Sequence, residues 1–147
     1  MARFRFRMQS VLDLKLRLEE QQKNAFAAAK KRLDEETDKL AALYARKEGY
    51  EQRGREQRAE ALHIQDIIDN ENAIIRMKEY IADQIAVIAK CEQQVEAERV
   101  KMVEMMKERK TYERLREKAF EQFIEDEKHE EGVINDEHNS YVYGIKE

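Results

Sequence analysis

Residues 74–123 read IIRMKEYIADQIAVIAKCEQQVEAERVKMVEMMKERKTYERLREKAFEQF. A strict alternation of three- and four-residue steps runs through them: Ile74, Met77, Ile81, Gln84, Ile88, Cys91, Val95, Glu98, Met102, Met105, Arg109, Tyr112, Arg116, Ala119, Phe123. Eleven of these fifteen positions are apolar. Held over seven heptads, the pattern predicts one long helix whose apolar stripe is the seam of a coiled coil. Gln84, Glu98, Arg109 and Arg116 interrupt the stripe. Polar seam residues lower stability and help to specify register.

A second helical pattern precedes it. Val11, Leu14, Leu18, Ala25, Ala29, Leu33, Leu40, Leu43 and Tyr50 fall on one face. Two successive four-residue steps between Ala25 and Leu33 predict a stutter that locally unwinds a left-handed supercoil. Lys47 and Gly54 weaken the stripe beyond Leu43. Between the two patterns, Asp69 and Asn70 are candidate helix N-caps. The expected architecture is all-α, a long antiparallel two-helix coiled-coil hairpin over residues 1–132. Helix 1 is expected at about 5–62, a turn at about 63–70 and helix 2 at about 71–131. Each helix would span roughly 85–90 Å at 1.5 Å per residue. Residues 133–147, after Gly132, lack heptad continuity and are expected to form a flexible tail that exposes Tyr141, Val142 and Tyr143.

Composition agrees with this reading. Of 147 residues, 41% are charged, none is Pro and four are Gly. So many charges with so few turn residues leave no room for a large sheet. The single Cys91 excludes a disulfide scaffold and reads as a small buried seam residue. No apolar run approaches the roughly 20 residues that cross a bilayer. The opening MARFRFRMQSVLDLKLRL lacks the apolar core of a secretory leader and reads as the basic start of an amphipathic helix. The net charge of −4 gives no reason to expect nucleic acid as a partner. Its distribution is informative. Residues 1–32 carry nine Lys and Arg against three acids, a net +6; residues 121–147 carry nine acids against two Lys, a net −7. Such ends attract in an antiparallel fold and repel in a parallel one.

Chemical motifs are missing. There is no phosphate-cradling Gly-rich loop and no nucleophile elbow. His63, His129 and His138 have no zinc-ligand spacing. Met102 and Met105 lie on the seam, and Lys30-Lys31-Arg32 is followed at once by Asp34, Glu35 and Glu36, a solvated mixed face. Two paired helices form no concave pocket for catalysis. The expectation is a non-enzyme with no catalytic residues, no cofactor and no metal, working through its flanks or its paired ends.

The start Phe4-x-Phe6-x-Met8-Gln9-x-Val11-Leu12-x-Leu14-Lys15, followed by Glu19-Glu20 and Ala25–Ala29, resembles the flagellar export protein family FliJ. Asp136-Glu137 is similar to the acidic pair that closes that family's second helix. Met8 and Lys15 stand where the family usually has Leu and Arg. The resemblance implies a soluble, non-enzymatic component of the bacterial flagellar type III export apparatus, a stalk-like coupling factor at the inner face of the cell membrane, without insertion into it. It implies three partners: the hexameric export ATPase, the membrane export gate and export chaperones. On this mapping the paired terminal ends, Phe4–Leu18 with Lys118–Asp136, face the ATPase. Arg3, Phe4, Arg5, Phe6, Arg7, Val11, Leu14 and Arg17 would be the ring-binding residues. Leu43, Tyr44, Tyr50, Ile81 and Ile85 would face the gate. A holdase or chaperone escort for export substrates, and a generic coiled-coil scaffold, are the alternatives.

Overall fold

The structure, a computed structural model, describes residues 2–60 and 63–146, the side chains of residues 145 and 146 excepted. It contains two helices, α1 (Gln9–Ala59) and α2 (Ile64–Lys146), and no strand among the described residues. The two helices form an antiparallel hairpin. The chain divides into two compact units, Gln22–Met102 and Met1–Gln21 with Val103–Glu147.

In the unit Gln22–Met102 the α2 seam lies where its repeat predicts. Ile74, Met77, Ile81 and Cys91 are buried, and Ile88 and Val95 are half-buried. On α1 the inward face runs Gln22, Phe26, Ala29, Leu33, Glu36, Leu40, Leu43, Lys47, Tyr50, Gly54, Gln57. Its steps alternate four and three without a break, so the expected stutter is absent. Ala25, read as seam, is exposed, and Phe26 and Gln22 take the inward positions. Polar residues occupy seam positions on α1, and counting only apolar residues therefore misplaces the phase.

Those polar residues meet the polar residues of α2. Gln22 Nε2 donates to the backbone oxygen of Glu98 at 2.9 Å and also to its carboxylate. Gln84 Nε2 donates to the backbone oxygen of Glu36 at 2.9 Å and to its carboxylate at 2.7 Å. Asn70 Nδ2 donates to the backbone oxygen of Tyr50 at 3.0 Å. In all three pairs the residue numbers add to 120, and successive pairs stand two heptads apart. A slip of one heptad sets Gln22 against Cys91 or Met105 and Gln84 against Leu43 or Ala29, leaving polar groups without partners. The pairs therefore hold one register.

That register centres the chain reversal on residue 60. Helix α1 ends at Ala59 and α2 begins at Ile64. The turn thus precedes the expected 63–70; Ala61 and Leu62 lie outside the described residues. Residues 64–70 are helical because Ile67 and Asn70 extend the seam by a heptad and Asp66 sits in the first turn, where a negative charge is stabilised by the helix dipole. Asn70 is buried and reaches across to α1, so it does not cap a helix. Gly54 makes room for it: a Cβ at that position would stand 2.8 Å from Asn70 Nδ2.

In the other unit, α1 begins at Gln9, later than expected, and residues 2–6 have no regular structure. At the far end α2 continues past the expected end at about 131 to Lys146, through the residues expected to form a flexible tail. Gly132 does not adopt the positive φ of a helix-ending cap, so the main chain continues as helix there. Residues 133–144 are all exposed.

Candidate partner-docking site

Arg3-Phe4-Arg5-Phe6-Arg7 alternates with period two, and an extended chain sends such residues to opposite sides. The structure shows that separation. Phe4 and Phe6 are half-buried, whereas Arg3, Arg5 and Arg7 are exposed. The Phe4 ring meets Phe120 edge-on at 5.2 Å and Phe123 at 5.5 Å. The Arg116 guanidinium lies over the Phe4 ring at 5.6 Å, and its Nε donates to Gln9 Oε1 at 2.9 Å. The segment then turns into α1 through a bond from Gln9 N–H to the Phe6 carbonyl, 3.1 Å, which satisfies one orphan donor of the helix start. Arg116, a seam position in the repeat, is exposed and clamps the N-terminal segment instead of filling a seam.

This arrangement forms an open groove of about 540 Å³. Phe4, Phe6, Met8, Leu115, Ala119 and Phe123 supply its apolar lining. Arg3, Arg5, Arg7, Gln122 and Asp126 supply its polar lining. Arg17 is exposed on α1, and no ion pair holds any of these four guanidiniums among the described residues. Val11 is half-buried, and Leu14, read as seam, points outward at 45% exposure. The helix face that meets α2 here runs instead through Leu12, Lys15 and Glu19.

Below the groove, charge pairs link α1 to α2. Buried Glu19 binds Arg109, which also bonds Glu113 at 2.9 Å. The Glu19 bond, then the Glu113 bond, raise the Arg109 pKa above its ordinary value, so the guanidinium stays charged. Lys15 Nζ bonds Glu108 at 2.9 Å and lies 5.9 Å from the Tyr112 ring. The Glu108 hydrogen bond is the main cause of the raised Lys15 pKa, against partial desolvation.

The five candidate gate residues separate into two sets. Ile81 is buried, and Leu43 and Tyr50 are half-buried on the inward face. Tyr44 and Ile85 are exposed. Arg58 bonds Glu71 at 2.6 Å from the corresponding flank positions, and the same register places Tyr44 beside Ile85. The two therefore share a flank that Leu43, Tyr50 and Ile81 do not reach. Leu115 lines the groove and Arg116 holds Phe4 without having been singled out for docking, whereas Phe120 lies within the stretch Lys118–Asp136 expected to face the ATPase. The period-two alternation of residues 3–7 is the signal for them, because an extended segment needs a surface to lie on.

A family model described as Flagellar FliJ protein matches residues 4–147. The chain belongs to the FliJ family. It thus has a flagellar export-related role, and the family is a non-catalytic component of that export system. Comparison with curated proteins and with solved structures gave no match. Among the described residues no helix of this FliJ-family chain is long and apolar enough to cross a membrane.

Proposed function

We propose that this FliJ-family chain is a coupling factor with no chemistry of its own, docking through its terminal groove on the hexameric export ATPase at the inner face of the membrane. The observation that carries the reading is the Phe4 clamp. By fixing the N-terminal segment on Phe120 and Phe123, it presents three arginines beside an apolar groove. A surface of that kind suits an acidic rim around an apolar contact, with the charges steering encounter and the aromatic groove supplying burial. The exposed flank of Tyr44 and Ile85 is the proposed contact for the membrane export gate. Export chaperones are further proposed partners.

The test is direct binding of the full chain to the export ATPase, with the hydrolysis rate as second readout. The wild-type chain should bind and raise the rate. Arg5→Glu with Arg7→Glu should weaken both while helicity is unchanged, because these side chains face solvent. Absence of wild-type binding refutes the proposal. Suppression of substrate aggregation that survives deletion of residues 1–10, with no effect on the ATPase, would assign the chain to chaperoning instead.

A further inference from the structure

Beside the α2 seam in the unit Gln22–Met102 runs a second stripe at four- and three-residue steps: Ile64, Ile68, Glu71, Ile75, Lys78, Ala82, Ile85, Ala89. All eight are exposed, Ile75 at 52%. Steps of this kind are those of a coiled-coil seam, and α1 does not cover this one. We propose that the stripe is an interface for a second copy of this chain, packed antiparallel about a two-fold axis through Ile75.

The order of residues argues for that occupant. With Ile75 against Ile75 of the second copy, Ile68 falls opposite Ala82 and Ile64 opposite Ile85. Glu71 falls opposite Lys78, and the two-fold axis repeats each of these pairs. The stripe is thus complementary to its own reverse in charge as well as in shape, as a closed two-fold interface requires. On the adjoining edge, Asn72 falls beside Glu79 of the second copy, an amide donor for a carboxylate. A parallel pairing sets Glu71 against Glu71 and Lys78 against Lys78, and like charges oppose it. Glu71 already bonds Arg58 of its own chain at 2.6 Å, which holds the carboxylate on this flank. The contact covers Ile85, so the two-copy form and a partner seated on the Tyr44–Ile85 flank exclude each other. The inference rests on one unit of the fold and stands whether or not the terminal groove binds an ATPase.

Sedimentation equilibrium of the full chain is the experiment. The mass should rise from 17.6 kDa towards twice that value, with a dissociation constant between about 10 µM and 1 mM, as suits a stripe of one helix. Lys78→Glu should weaken association about tenfold, because the lost attraction becomes repulsion at both symmetry-related sites. Adding Glu71→Lys to Lys78→Glu should restore it. Circular dichroism checks that helicity is retained, as the exposed position of Lys78 leads one to expect. A mass that stays at 17.6 kDa up to about 1 mM overturns the proposal. So does a dimer indifferent to Lys78→Glu, which would be parallel or seated on another surface.

Discussion

Gly54 and Asn70 show how one absent methyl group decides a contact. Asn70 Nδ2 reaches the Tyr50 carbonyl only because position 54 has no side chain. Helix propensity alone favours Ala at 54 by about 1 kcal/mol. The clash with Asn70 opposes it, and overpacking of this kind costs about 1–3 kcal/mol. Gly54→Ala should therefore destabilise the chain in urea titrations, by about 1 kcal/mol net. In an Asn70→Ala background the same substitution should stabilise it, because only the propensity gain is left. A loss of equal size in both backgrounds would show that Asn70 is not the obstacle. Glu36 adds a pH dependence. Its carboxyl is held below the usual value of 4.5 chiefly by the Gln84 amide, then by Lys39. The folded state thus binds this proton less readily than the unfolded one. The contribution of Glu36 is in place above pH 4.5 and is lost as pH falls through the lower folded value. Denaturation measured between neutral and acid pH should show a shallower acid limb in Glu36→Gln than in the wild-type chain.

At the scale of the element, α2 extends through Gly132 although glycine weakens a helix interior. Nothing lies within 4 Å of a Cβ placed there. Gly132→Ala should stabilise the surrounding turns by about 0.5–1 kcal/mol, read as slower amide exchange around residues 128–136 with the exchange of residues 74–91 unchanged. Equal slowing throughout would mean that these turns open only with the whole chain. The two helices also differ in how they are read from sequence. On α2 the seam stands out because most of its positions are apolar. On α1 the inward face includes Lys15, Glu19, Gln22, Glu36 and Lys47, and the exposed Leu14 and Ala25 imitate a stripe. Four of these polar residues are accounted for by what they meet on α2, Lys15 by Glu108, Glu19 by Arg109, Gln22 by Glu98 and Glu36 by Gln84, whereas Lys47 pairs with Glu51 of its own helix. Periodicity within one helix carries no information about those partners.

For the whole molecule, the excess of basic residues near one end and of acidic residues near the other makes ionic strength the useful variable. Proposed docking of the exposed arginines on an ATPase should weaken steeply as salt rises, since exposed charges are screened beyond about 8 Å at physiological strength. The hairpin should be far less sensitive, because its Gln22–Glu98 and Glu19–Arg109 contacts are buried or partly buried. Titrating binding and unfolding against the same salt series checks this. Parallel loss of both would mean that folding, and not docking, depends on the exposed charges. The choice of two antiparallel helices was legible in local patterns, because hydrophobic periodicity and charge balance are properties of sequence near each residue. The family, too, was legible in the first fifteen residues. The helix 1 phase, the place of the reversal, the helical course of residues 133–146 and the Phe4 clamp were not. Residues 133–144, all exposed, simply continue α2. The phase, the reversal and the clamp depend on which polar and aromatic groups meet across the hairpin, and a hydrogen bond or ring contact between residues far apart in the chain exists only once both helices are in place.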